Sequence, residues 1–264
     1  MKSPIKKQVC CKQTPIKKKA IPNMTTKKLN FTYMKKLLVI LLISVSGFAQ
    51  NFDYKNYSKF LGKYVSEKGN VNYDKIKTNK AELDAIIKQF EKTQPTDKWS
   101  RNEKLAYYIN AYNVYTLKIV VDNYPTKSIK DIDNAWDKKF IPSGKDKISL
   151  GDVEHKILRK MNEPRIHFAI NCASFSCPNL LNEAYLPETL DKQLETVTKS
   201  FINDKTKNTI TTSEIKISEI FNWFSGDFKT KKTTLIDFIN TYSTVKIDKK
   251  AKVKFLDYNW NLNK

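Results

Sequence analysis

Beyond residue 50 the apolar positions repeat mostly at helical spacing, interrupted by two short regions that alternate. Phe52 to Val65 reads as an amphipathic helix and Gly69-Asn70 as a turn. Ala81 to Phe90 predicts a second helix, with Leu83, Ile86, Ile87 and Phe90 on one face. Ser100 followed by Glu103 is a capping-box signature, so a long helix is expected from there to about Asn123, ended by Pro125. Residues 138–150 predict a hairpin around Ser143-Gly144, and Ser149 or Asp152 caps a helix that runs to about Lys160. Arg165 to Asn171 has few polar positions and predicts a buried strand. Pro187 opens a helix to about Ile202, Thr209 to Ile217 predicts strands, Leu235 to Tyr242 a helix, and Val253 to Leu262 a closing strand. Helices and strands intermix without a βαβ rhythm. The expected fold is therefore α+β, a single domain of mixed helices around a small, mainly antiparallel sheet.

The beginning of the chain changes the size and charge of that domain. Met34-Lys35-Lys36, the apolar run Leu37 to Ile43, and the small residues Gly47 and Ala49 have the order of a signal peptide at 34–49. The run is far shorter than the roughly 20 apolar residues a bilayer-spanning helix needs, so cleavage is expected, with no membrane span afterwards. Residues 1–33 carry nine lysines and no acid, and read as a basic extension upstream of a true start at Met34. The expected mature chain, 50–264, is periplasmic or secreted. Without residues 1–49 it has 37 basic and 27 acidic residues, a charge of +10 over 215 residues. Of the 48 basic residues 45 are lysines, scattered among acids, which points to a solvated surface and to no nucleic-acid partner.

The rare side chains then single out one stretch. His155, Arg159, Arg165, His167, Cys172 and Cys177 all fall within 23 residues, leaving only Arg101 outside among the mature chain's histidines, cysteines and arginines. Imidazole and thiol are the side chains best suited to base and nucleophile work near neutral pH. The spacing His-x₁₁-His-x₄-Cys-x₄-Cys matches no common zinc pattern, and no metal or other cofactor is expected. Neither a Gly-x-Ser-x-Gly elbow nor a His-Glu-x-x-His motif is present, and six glycines leave no phosphate-cradling loop.

Four segments carry a resemblance: Lys104 to Asn113, Ile148 to His155, Arg165 to Ser174 leading to Ser176-Cys177-Pro178, and Leu256 to Asn263. In order and spacing the chain resembles the family called domain of unknown function 547. The resemblance implies, by analogy only, a papain- or transglutaminase-like thiol site.

A thiol site requires a cysteine near a histidine, a group that orients the ring, and oxyanion donors. Cys172 is the expected nucleophile, because it lies where the predicted strand gives way to Ala173-Ser174 and backbone N–H groups are free to donate. His155 is the expected base, with Glu154, Asp152, Asp257 or Asn259 orienting it. His167, an odd number of residues before Cys172, falls on the opposite face of a regular strand. Asn110 and Asn113, with Arg159, Arg165, His167 and Asp257, are the expected substrate contacts. Two functions follow: a thiol hydrolase or acyl/amide transferase acting on a peptide, a cell-envelope amide or another small molecule, or a non-catalytic envelope ligand-binding domain braced by a Cys172–Cys177 disulfide.

Overall fold

A computed structural model describes residues 52–264. The expected basic extension at 1–33 and signal peptide at 34–49 lie outside the described residues.

One helix organises the interior. Ser100 accepts the Glu103 N–H while the Glu103 carboxylate accepts the Ser100 N–H, closing the predicted capping box. With α1 (Lys55–Tyr64), α2 (Tyr73–Thr78) and α3 (Lys80–Lys92) before it, the capped helix is α4, Arg101–Asp122. Fifteen of its 22 residues are buried, on all sides. A helix apolar all round must run through the core, and α2 and α3 pack against it. The turn between α1 and α2 needs Gly69: its φ is +79°, and a Cβ there would lie 2.6 Å from the Asn179 Cβ.

The predicted hairpin forms β1 (Ile141–Ser143) and β2 (Asp146–Ile148), antiparallel, with Gly144-Lys145 at the turn. Ser149 and Asp152 then cap each other reciprocally, and a π-helical turn runs Asp152–Leu158, tightening to a 3₁₀ turn at Arg159–Met161. The helix predicted after Pro187 is α5, Leu190–Asn203. β3 (Thr209–Ile210) pairs antiparallel with β4 (Glu214–Ser218), and β4 pairs parallel with β5 (Lys252–Leu256). Between β4 and β5 lie α6 (Ile220–Trp223) and α7 (Leu235–Tyr242). The fold is α+β, with a two-stranded and a three-stranded sheet beside a mostly helical core. No helix among the described residues is long and apolar enough to cross a membrane.

Two predicted strands differ in a way that matters for the site. Arg165–Asn171 is not a strand; Pro164–Phe168 is a 3₁₀ helix, opened by Pro164 and capped by the Glu163 carboxylate on the Arg165 N–H. The closing strand stops at Leu256, and residues 259–263 pair instead with the loop after Cys172. Phe175 N–H donates to Asn261 O, Asn263 N–H to Ala173 O, and Ser176 N–H to Asn259 O.

Candidate active site

Helix α4 fixes the frame. Asn113 donates to Ala169 O at 3.0 Å and accepts the Asn171 N–H at 2.8 Å. Asn110 grips Tyr185 in the same way, at 2.7 and 2.9 Å. Both amides are buried and fully engaged with backbone, so the expected pair of substrate amide contacts is instead a pair of cross-links. Asn113→Ala would leave a buried carbonyl and a buried N–H without partners. It is expected to cost about 2 kcal/mol, read as a lower urea midpoint at unchanged slope.

From that frame the chain turns sharply at Cys172. Asn171 Oδ1 accepts the Ala173 N–H, and Ala173 takes φ = 60°, a left-handed conformation that costs a non-glycine residue about 1 kcal/mol or more. The turn leaves Cys172 half-buried, its sulfur within hydrogen-bonding distance of three groups: Cys177 Sγ at 2.9 Å, Ser174 Oγ at 3.1 Å and Tyr258 Oη at 3.3 Å. The pairing of 259–263 with the loop is what delivers Tyr258 here. The Cys177 thiol and the two hydroxyls favour a thiolate at Cys172 over the opposing effect of desolvation, bringing its pKa down to about 7. Burial pushes the Cys177 thiol well up, so the inner sulfur keeps its proton. Both cysteines are free thiols. The backbone donors expected around Cys172 are occupied: its own N–H goes to Cys177 Sγ and that of Ala173 to Asn171.

Cys172 opens into a cavity of about 190 Å³ whose walls include Tyr112, Glu154, His155, His167, Phe224 and Tyr258. Trp136, Trp223 and Trp260 form the rest of an aromatic wall, with Tyr258 and Trp260 ring centroids 4.6 Å apart and Trp223 and Tyr258 4.9 Å apart. Glu154 is buried, 3.4 Å from the Tyr112 hydroxyl. Desolvation, reinforced by negative charge at Cys172, raises its carboxyl to about 7. It therefore exchanges a proton near neutrality, which an ordinary glutamate does not.

Behind the cavity His167 stacks on Phe224, with centroids 4.1 Å apart, and its Nε2 lies 2.8 Å from Asp227 Oδ2. Burial lowers its pKa to about 4, so the ring is neutral at pH 7. Arg159 holds Asp227 bidentately at 2.6 and 2.9 Å. Although burial pushes Asp227 up, hydrogen bonds from Arg159 and His167 outweigh it and keep the carboxylate charged.

Of the expected residues, Cys172, Glu154, His155 and His167 share the cavity. His155, the expected base, makes no hydrogen bond to the Cys172 sulfur. Its exposed ring points Nδ1 toward Arg159 at 3.4 Å, and burial of part of the ring together with that guanidinium lowers its pKa. Asp152 does not orient it, being engaged with Lys156 and the Ser149 cap. Arg165 turns away, bonded to Glu163 and Asp191. Asp257 is exposed, and Asn259 serves the 176–259 pairing. Sequence reasoning assigned no part to Tyr112, Ser174, Asp227 or Tyr258, nor to the tryptophans. One signal was available: the chain has four tryptophans, and three line this cavity. Among the described residues no group of three or more His, Cys, Asp and Glu side chains is arranged to hold a metal ion.

No curated protein and no solved structure matches the chain. Residues 96–202, which carry α4, Glu154, both histidines, Cys172 and Cys177, match the model of the family described as Protein of unknown function, DUF547.

Proposed function

We propose that the protein is a thiol-dependent acyl hydrolase or transferase, exported as the mature chain and acting on a small amide, ester or thioester whose acyl part is apolar or aromatic. A peptide or cell-envelope amide with such a side chain belongs to this class. The observation that carries the reading is a cysteine, its sulfur within hydrogen-bonding distance of a thiol and two hydroxyls, that shares a cavity with a protonatable buried carboxyl. The aromatic walls supply apolar surface, and about 190 Å³ accommodates one ring or a short acyl chain rather than a large ligand.

The Cys172 thiolate attacks the carbonyl carbon, and Ser174 and Tyr258, whose hydroxyls already face that sulfur, donate to the developing oxyanion. As the carbon–heteroatom bond breaks, the neutral Glu154 carboxyl gives its proton to the leaving group. Water then attacks the thioester, and Glu154 takes a proton back while Cys172 departs as thiolate. His167, Asp227 and Arg159 hold the cavity's rear wall. The analogy to papain- or transglutaminase-like enzymes extends to the sulfur alone, since no histidine is bonded to it.

The test is intact mass spectrometry of the full chain mixed with a phenylacetyl thioester. A transient phenylacetyl adduct on Cys172, preceding steady release of phenylacetate, is expected. Binding of the thioester without adduct or release would favour the non-catalytic envelope domain instead.

A further inference from the structure

The two sulfurs differ in ways that acyl transfer does not require. Cys172 is half-buried and Cys177 more deeply buried; both border the cavity, with their sulfurs 2.9 Å apart. A disulfide bond is about 2.05 Å long, so the pair closes by a movement of about 0.9 Å. The backbone between them is already folded for that closure: Cys177 N–H donates to Ser174 O at 3.1 Å, and Cys172 N–H donates to Cys177 Sγ. A structural brace would gain little at this position, because Asn113, Asn171 and the 259–263 segment already hold the loop. A more accessible sulfur beside a more deeply buried one is the arrangement of an attacking and a resolving thiol.

We propose that Cys172 and Cys177 form a redox-active dithiol that reduces small organic disulfides with apolar or aromatic substituents. The Cys172 thiolate attacks one sulfur of R–S–S–R, a Cys172–S–S–R bond forms, and RS⁻ leaves to be protonated. The Cys177 sulfur, losing its proton to the second departing thiolate, then attacks the Cys172 sulfur. A Cys172–Cys177 disulfide forms and RSH is released. One disulfide is reduced to two thiols as the two protein thiols are oxidised, and the protein's return to the dithiol consumes an external thiol reductant. Closure also caps the nucleophile of the proposed acyl transfer, so the same pair switches that activity off. This inference shares the Cys172 thiolate with that reading but does not depend on acyl transfer.

The reduced full chain is mixed with 2,2′-dithiodipyridine, an apolar aromatic disulfide, and pyridine-2-thione release is followed with intact mass. Wild type is expected to release two thiones per chain and to end 2 Da lighter with no adduct, an outcome that dithiothreitol reverses. Cys177→Ser is expected to release one thione and hold a stable mixed disulfide at Cys172. Cys172→Ser is expected to slow release at least roughly 100-fold, because the buried Cys177 thiol stays protonated. A wild-type protein that keeps a pyridyl adduct on Cys172, or takes one on each cysteine, overturns the proposal. Should disulfide closure proceed while the phenylacetyl thioester gives no adduct, only the acyl-transfer reading fails.

Discussion

Cys172→Ser is expected to lower phenylacetyl thioester turnover by at least roughly a thousandfold while leaving the fold intact. A serine hydroxyl ionises far above neutrality, and no imidazole is bonded at this position to take its proton. The sulfur works without such a base because its neighbours favour the thiolate. With a pKa of about 7, half of the Cys172 thiols are ionised at pH 7, and each unit of increase cuts that fraction up to about tenfold. Tyr258→Phe removes one of the hydroxyls that face the sulfur, so it is expected to lower the pH 7 rate by roughly tenfold. Part of the lost rate should return as the pH is raised toward 9, because the thiolate re-forms there, while the part owed to the missing oxyanion donor stays lost at every pH. A pH–rate profile between 5 and 10 reads both variants. Substantial activity in Cys172→Ser would remove the thiolate from the mechanism, and a Tyr258→Phe loss that is the same at every pH would leave Tyr258 no part in favouring it.

This dependence on donors from distant segments explains how far the site was legible. The rare residues clustered in sequence, and the structure places four of them, His155, His167, Cys172 and Cys177, with their neighbour Glu154, around one cavity. Their connections were not readable, because each is decided by a tertiary path. Tyr258 reaches Cys172 only since the chain leaves β5 at Leu256 and pairs with the loop at 173–176. Asp227 reaches His167 across 60 residues. The amides of Asn110 and Asn113 looked equally suited to a ligand or to buried backbone, and the frame around Ala169, Asn171 and Tyr185 took both.

At the level of elements, local chemistry was decisive where it was strong. The Ser100–Glu103 box starts α4 at the predicted residue, and α7 spans Leu235–Tyr242 as its apolar spacing predicts. It misled at Arg165–Asn171, where Ile166, Phe168, Ala169 and Ile170 make a short apolar run that periodicity does not assign to strand or helix. Pro164 at the first helical position, and the Glu163 carboxylate on the Arg165 N–H, turn the run into a 3₁₀ helix with about three residues per turn. His167 then points at Phe224 and Asp227, not to the far face of a strand.

Glu154 offers the second large effect, and its sign is fixed by burial. Its folded pKa of about 7 lies above the ordinary 4.5, so between those values the folded protein binds more protons than the unfolded chain. Its contribution to stability therefore falls as pH rises through that window and levels off above it, at a cost of about 3 kcal/mol. His167 acts in the opposite direction. With a folded pKa of about 4 against 6.5, it makes the unfolded chain the better proton binder, and stability rises with pH between those values. In the wild type the two slopes largely cancel. Glu154→Gln keeps the shape and removes the ionisation. The variant is thus expected to match wild type near pH 4, to exceed it by about 2–3 kcal/mol at pH 8, and to show the uncompensated His167 rise between pH 4 and 6.5. Urea midpoints across pH 4 to 9 measure this; parallel curves for the two proteins would mean that Glu154 takes up no proton on folding. The same variant separates stability from chemistry. The Cys172 thiolate can still attack an activated thioester, but the glutamine accepts no proton from the water that releases the acyl group. The phenylacetyl adduct should therefore accumulate in a more stable protein, the combination expected of a buried acid retained for proton transfer at the expense of the fold.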